Sequence, residues 1–248
     1  MAMMNMSRVY QHIMDVQRRA GKLLAVLIDP EKPQAIHAMS SYLPDVDMIL
    51  VGGSTGAHSD ACIDTLKQYS RCPIVLFPGN VAQFSPAADA VLFLSLLTAR
   101  SADMLITPHI HIARTILQSG IESIPMGYIL VDGGRKSSVE IASNSQPLPR
   151  TDVDLIISTA VAGELLGKRL IYLEAGSGAL LPIPAEVITA VRASLQVPLI
   201  VGGGITTTQA MMDAFHAGAD IVVIGNHFEQ YPDEIGNFIR IKRDKYGN

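Results

Sequence analysis

The sequence predicts a (β/α)8 TIM barrel. Three observations predict it. Short apolar runs of strand length recur eight times along 248 residues. Nearly all are apolar on both faces, as parallel strands covered on both sides are. Helical patterns separate most of them, and repeated β-then-α alternation builds a parallel α/β fold. A doubly wound open sheet is the second choice on the same alternation. No linker or internal repeat divides the chain, so residues 1–248 form a single expected domain.

The elements follow in order. MMNMSRVYQHIMDVQRRAG, residues 3–21, lacks the apolar core and cleavage site of a signal peptide and is expected to be an extra N-terminal amphipathic helix. The eight strands are expected at Leu23–Ile28, Asp47–Val51, Pro73–Phe77, Ala90–Leu94, Met126–Val131, Leu170–Leu173, Leu199–Val201 and Ile221–Ile224. Helical periodicity fills most gaps, for example Ala61–Tyr69, Asp154–Leu166, Thr208–Ala217 and Gln230–Lys242. One gap is too short. Twelve residues, including Pro78, Gly79 and Pro86, lie between Phe77 and Ala90, so the third outer helix is expected to be missing or reduced. Another gap is long and polar. DGGRKSSVEIASNSQPLPRTD, Asp132–Asp152, follows the fifth strand and suits a lid or binding loop over the catalytic face. By composition alone it suits a plain surface loop almost as well.

Composition excludes some classes. Hydrophobic residues make up 48% and charged residues 17%, enough to fill a large core. A net charge of −4 without a basic tract argues against nucleic acid as a partner. No apolar run approaches the ~18 residues of a membrane span. Cys62 and Cys72 lack metal-type spacing and fit reduced thiols in a cytoplasmic protein. His109 and His111 sit at i, i+2, which does not bring them to one helical face, so a metal role is not assigned to them.

In such a barrel the chemistry sits at the C-terminal strand ends. Three consecutive ends are glycine-rich: Gly176-Ser177-Gly178, Gly203-Gly204 and Gly225-Asn226. Bare backbone N–H groups there can hold a phosphate. At the first strand end, Asp29 precedes Pro30, which keeps it extended. Ser54 ends the second strand. An aspartate and a serine oxygen suit a loosely held Mg²⁺ that keeps its waters.

Seven stretches, VLIDPEKP (26–33), ILVGGS (49–54), IVLFPGN (74–80), ADAVLFLSLL (88–97), YLEAGSGA (172–179), IVGGGI (200–205) and ADIVVIGN (219–226), resemble in colinear order the geranylgeranylglyceryl phosphate synthase family of prenyltransferases. Thr206 stands where that family's pattern has a basic residue. The resemblance implies transfer of a polyprenyl group, geranylgeranyl in the first instance, from its diphosphate to the 3-hydroxyl of sn-glycerol 1-phosphate. Diphosphate leaves and an ether-lipid precursor forms. It implies a glycerol phosphate site at Tyr172, Leu173, Glu174, Ala175, Gly176, Ser177, Gly178, Gly203, Gly204, Gly225 and Asn226. Glu174 and Tyr172 would serve catalysis, and Asp29 and Ser54 would hold Mg²⁺. It also implies a homo-oligomer, dimer or hexamer, with transient membrane contact for the product. The prenyl tail needs a long apolar groove, expected where the third helix is missing, along Phe84, Leu92 and Leu94. Two other readings of the residues stand beside it. One is a different phosphate-binding barrel enzyme, an isomerase or lyase. The other is a barrel that binds phosphorylated or prenyl ligands without catalysis.

Overall fold

The computed structural model describes residues 8–53 and 59–247. Eight parallel strands close into a barrel in chain order. They are β1 Leu23–Ile28, β2 Met48–Val51, β3 Ile74–Leu76, β4 Ala90–Leu96, β5 Glu122–Leu130, β6 Leu170–Glu174, β7 Leu199–Gly202 and β8 Ile221–Ile224. Closure is β8 against β1, with Leu23 opposite Ile221 and Val26 opposite Ile224.

The period of two along each strand divides the apolar side chains into two layers. Leu23, Ala25, Met48, Leu50, Met126, Leu170, Ile200 and Val223 fill the barrel interior. Leu24, Val26, Ile49, Val51, Leu173, Val201 and Val222 face outward against the helices. That double burial is why the strands read as unbroken apolar runs.

The helices are α1 Arg8–Arg18, α2 Pro33–Met39, α3 Asp60–Tyr69, α4 Ala102–Leu105, α5 Thr107–Ser119, α6 Ser138–Ser143, α7 Val153–Leu165, α8 Ala185–Ser194, α9 Thr208–Ala217, α10 Asn226–Gln230 and α11 Ile235–Tyr246. The expected N-terminal helix is α1. Its Val9 and Ile13 join the interior cluster, and Glu122 accepts from the Val9 and Tyr10 amides at its N-terminus, at 2.8 and 2.9 Å.

Three expectations need correction. The last helix is not continuous. Pro232 opens a 3-10 turn, Pro232–Glu234, that separates α10 from α11. The fifth strand begins at Glu122, before the polar residues and Pro125 that hid its start. The segment Asp132–Asp152 is not loop throughout. It contains α6, opened by a capping box in which Ser137 Oγ accepts from the Glu140 amide and Glu140 returns the bond to the Ser137 amide. A bridge between Val131 and Leu148 returns the segment to the barrel rim.

The third flank is open, as the short crossover predicts. β3 pairs with β4 at two positions, Val75–Ala90 and Leu76–Val91. β4 runs on alone on that side to Leu96, held by β5 along its whole length. In place of an outer helix there is one 3-10 turn, Val81–Gln83, capped by Asn80, whose side chain accepts from the Ala82 amide at 2.9 Å. Gln83 is fully buried and ties this segment down. It accepts from the Gly79 amide at 2.7 Å and donates to the Gly53 carbonyl at 3.0 Å.

Candidate active site

The C-terminal strand ends surround a cavity of about 540 Å³ that continues through the open flank. Its inner wall carries Asp29, Tyr172, Glu174 and the residues Gly176, Ser177, Gly178, Gly203, Gly204, Gly225 and Asn226. Its outer arm runs over Phe84, Phe93, Ile112 and Ile116 of the outward layer, whereas Leu92 and Leu94, expected in the groove, line the cavity from the barrel interior because alternate residues of β4 face opposite sides. One continuous space therefore joins a polar mouth to an apolar groove. Leu173 and Ala175 do not line it. Their side chains lie in the outward cluster, because alternate residues of β6 face opposite sides.

Glu174 ends β6 inside the ladder, opposite Gly202 of β7 and Leu130 of β5. It is 6% exposed. Its Oε1 accepts from the Gly176 amide at 2.7 Å. Tyr172, two residues earlier on the same face, donates its phenol to the Glu174 carboxylate. Burial raises the Glu174 carboxyl above 4.5, and the bonds from Tyr172 and Gly176 oppose the rise. Burial and the neighbouring carboxylate push the Tyr172 and Tyr128 phenols well above 10. With both phenols pushed up, the carboxyl is the group of this trio that can take a proton.

That shift has a sign in stability. A carboxyl whose folded pKa is raised binds more protons in the folded state. Stability therefore falls as pH rises from about 4.5 through the folded pKa, and the loss persists above it. Glu174→Gln removes the penalty. The expected result is a higher melting temperature for Glu174→Gln at pH 7, with the difference disappearing below pH ~4. A variant less stable than the parent at pH 7 would contradict the shift.

Gly203 fits where no other residue can. Its φ is +82°, and a Cβ there would lie 2.4 Å from Glu174 Oε1 and 2.7 Å from the Gly176 amide nitrogen. The glycine lets β7 turn directly against the Glu174–Gly176 bond. Ser177 and Asn226 bridge the loops after β6 and β8, with Asn226 Nδ2 donating to Ser177 Oγ at 2.9 Å. Thr207 caps α9 by accepting from the Ala210 amide at 3.1 Å, and Thr206 lines the cavity.

Asp29 stands on the opposite side of the mouth, partly exposed. Its Oδ1 accepts from the Glu31 amide at 3.0 Å. Gly53 leaves space beside the carboxylate, since a Cβ there would come within 2.8 Å of Oδ1. A hard oxygen donor facing an open cradle fits a partly hydrated Mg²⁺. Ser54, its expected companion, lies outside the described residues. Among the described residues, no group of three or more His, Cys, Asp or Glu is placed to hold a metal by itself.

The sequence reads Glu31 and Lys32 as a solvated pair, but in the structure Lys32 pairs with Glu229 at 2.7 Å, 197 residues away in the chain. Other residues of the mouth went unremarked in the sequence. Tyr128 lies beside Tyr172 with ring centroids 5.2 Å apart, and Phe77 stacks on Tyr172 at 5.5 Å. Arg135 Nη1 would be 3.9 Å from a Cβ on Gly178. His109 is no metal ligand. Its Nε2 bonds the Leu94 carbonyl at 2.7 Å, and its ring meets Phe93 edge-on at 4.4 Å, in the groove wall. Cys62 and Cys72 form no disulfide, and burial pushes their thiols up to about 12 and about 11.

Comparison with known proteins agrees with this geometry. The geranylgeranylglyceryl phosphate synthase of Zunongwangia profunda is 45% identical over 233 residues, covering 90% of this chain and 98% of the relative. That of Spirosoma linguale is 43% identical over 238 residues, covering 93% and 95%. Among solved structures, the Thermoplasma acidophilum (S)-3-O-geranylgeranylglyceryl phosphate synthase in complex with its substrate sn-glycerol-1-phosphate superposes with a TM-score of 0.87 at 32% identity, covering 95% of this chain and 98% of that one. The model of the PcrB family matches residues 14–242. With nearly the whole barrel matched, the chain belongs to the PcrB family, alongside the geranylgeranylglyceryl phosphate synthases.

Proposed function

We infer that the protein is a prenyltransferase joining the 3-hydroxyl of sn-glycerol 1-phosphate to a polyprenyl diphosphate, geranylgeranyl in the first instance. One observation carries this. The glycine-rich mouth and the apolar groove are one continuous cavity, so an anionic polyol and a long hydrocarbon can meet at Glu174. The named relatives support it, as does the glycerol phosphate bound by the Thermoplasma acidophilum enzyme.

The backbone at Gly176–Gly178, Gly203, Gly204 and Gly225, with Asn226, holds the phosphate of the glycerol substrate. Each amide bond to a charged oxygen contributes roughly 1.5–3 kcal/mol. The 3-hydroxyl then faces the Glu174 carboxylate. Its oxygen forms a bond to carbon 1 of the prenyl chain. The carbon–oxygen bond to diphosphate breaks, and its electron pair leaves with diphosphate. Glu174 takes the hydroxyl proton. Fixing the two partners in one cavity supplies much of the acceleration. Asp29, with Ser54, would hold Mg²⁺, which when bound would supply charge neutralisation for diphosphate. The groove along Phe84, Phe93 and Ile112 keeps water from the allylic carbon.

An isomerase or lyase would have no use for an apolar arm of this kind, and a binding protein would not need a buried carboxylate where the mouth meets that arm. The free, unreactive thiols fit a cytoplasmic setting. No helix among the described residues is long and apolar enough to cross a membrane. Exposed Leu117, Leu165 and Leu166 on the outer face fit assembly of a homo-oligomer, dimer or hexamer.

The test is turnover of sn-glycerol 1-phosphate with geranylgeranyl diphosphate, followed by release of diphosphate with and without Mg²⁺. Mg²⁺-dependent release that requires the glycerol phosphate is the expected result. Isomerisation of a sugar phosphate without diphosphate release would overturn the assignment.

A further inference from the structure

The described lining of the cavity carries three carboxylates, Asp29, Glu174 and Glu229, and one lysine, Lys32, while Arg135 stands at its edge beside the Gly178 loop, away from the Asp29 side. Two anionic substrates must nevertheless bind there. The position of Lys32 is set by the same turn that sets Asp29. The Lys32 amide donates to the Asp29 carbonyl at 2.9 Å, while the Asp29 side chain accepts from the Glu31 amide. The backbone of Ile28-Asp29-Pro30-Glu31-Lys32 thus presents a carboxylate and an ammonium side by side at the rim.

Glu229 fixes the ammonium from the other side. Its side chain is 9% exposed, whereas that of Lys32 is 43% exposed. Glu229 belongs to α10, which begins at Asn226, directly after the glycine end of β8. The pair spans loops one and eight at 2.7 Å, with the carboxylate behind and the ammonium in front. A surface ion pair formed only for stability has little effect and does not need one buried partner. Here the buried carboxylate orients a cation into the cavity.

We propose that Lys32 is a binding residue for the diphosphate group of the prenyl substrate, held in position by Glu229. This rests on the prenyltransferase assignment above. Lys32 follows Asp29 in the chain by three residues, so its charge falls beside the metal edge of the mouth. A lysine ammonium is a mobile point charge well suited to a phosphate oxygen. It remains in place as diphosphate gains charge on leaving, so its attraction grows in the transition state.

The experiment is calorimetric titration of the whole protein with inorganic pyrophosphate in Mg²⁺, and separately with sn-glycerol 1-phosphate, for the parent and for Lys32→Met, Lys32→Arg and Glu229→Gln. The expected result is at least a ~10-fold weaker pyrophosphate Kd in Lys32→Met, corresponding to ~1.4 kcal/mol. Glycerol phosphate affinity should stay within ~2-fold, which also reports an intact fold. Lys32→Arg should recover pyrophosphate binding, and Glu229→Gln should give an intermediate loss. In turnover, Lys32→Met should raise KM for the prenyl diphosphate and lower kcat. Unchanged pyrophosphate affinity in Lys32→Met, or an equal loss for glycerol phosphate, would overturn the proposal. So would a parent protein that binds no pyrophosphate. If pyrophosphate binding follows the expected order but no prenyl transfer occurs, the diphosphate role of Lys32 stands and the prenyltransferase assignment fails.

Discussion

Asp29→Ala is expected to lower kcat by about 10³-fold or more at saturating Mg²⁺, with a melting temperature within a few degrees of the parent. Among the described residues the carboxylate accepts one hydrogen bond, from the Glu31 amide, and it sits at a partly exposed rim. Losing that bond costs about 1 kcal/mol of stability. In function the loss is of another order, because diphosphate leaves slowly unless its charge is neutralised. Steady-state kinetics over a range of Mg²⁺ concentration, with a thermal melt, check both halves. Turnover within tenfold of the parent would remove Asp29 from the metal site.

Gly203→Ala is expected to abolish measurable turnover and to destabilise the protein by about 3 kcal/mol. Two costs add. The residue must stay at φ +82°, a region that charges a non-glycine residue about 1–3 kcal/mol. Its methyl group must also displace Glu174 Oε1 or the Gly176 amide, whose mutual bond is 2.7 Å long. The displaced partners are backbone and a buried carboxylate, which cannot move aside without opening the Gly176–Gly178 loop. The overpacking adds roughly 1–3 kcal/mol. Steady-state kinetics measure the first effect and denaturant unfolding the second, with glycerol phosphate titration as a check on binding. A stable variant that binds glycerol phosphate normally would show that the Glu174–Gly176 contact is dispensable.

Much of this was legible in the sequence, and the residues show why. A parallel strand buried on both faces announces itself as an apolar run, and its polar end marks the catalytic side. Hence Asp29, Glu174 and the three glycine ends could be placed by inspection. The open flank followed from counting the residues between Phe77 and Ala90. What escaped depends on register and on distance along the chain. Tyr128 stands level with Tyr172 only because β5 and β6 pair at that offset. Lys32 reads as an ordinary solvated lysine until the barrel closes and brings Glu229 to it. The capping box of α6 was present as Ser137–Glu140, but the helix it opens has only six residues and no apolar stripe to reveal it. Pro232 similarly stood in plain view inside a helical pattern long enough to mask the break.

The short pairing of β3 with β4 has a consequence for where the barrel gives way. Elsewhere around the ring, neighbouring strands are latched along three or more positions, but this seam has two. Backbone hydrogen bonds that open independently of global unfolding concentrate where pairing is shortest. The slot for the hydrocarbon tail is thus cut along the line of least cooperativity. A prenyl tail bound there as proposed would act as a missing stave, so the substrate that reacts at the rim would also complete the wall of the barrel.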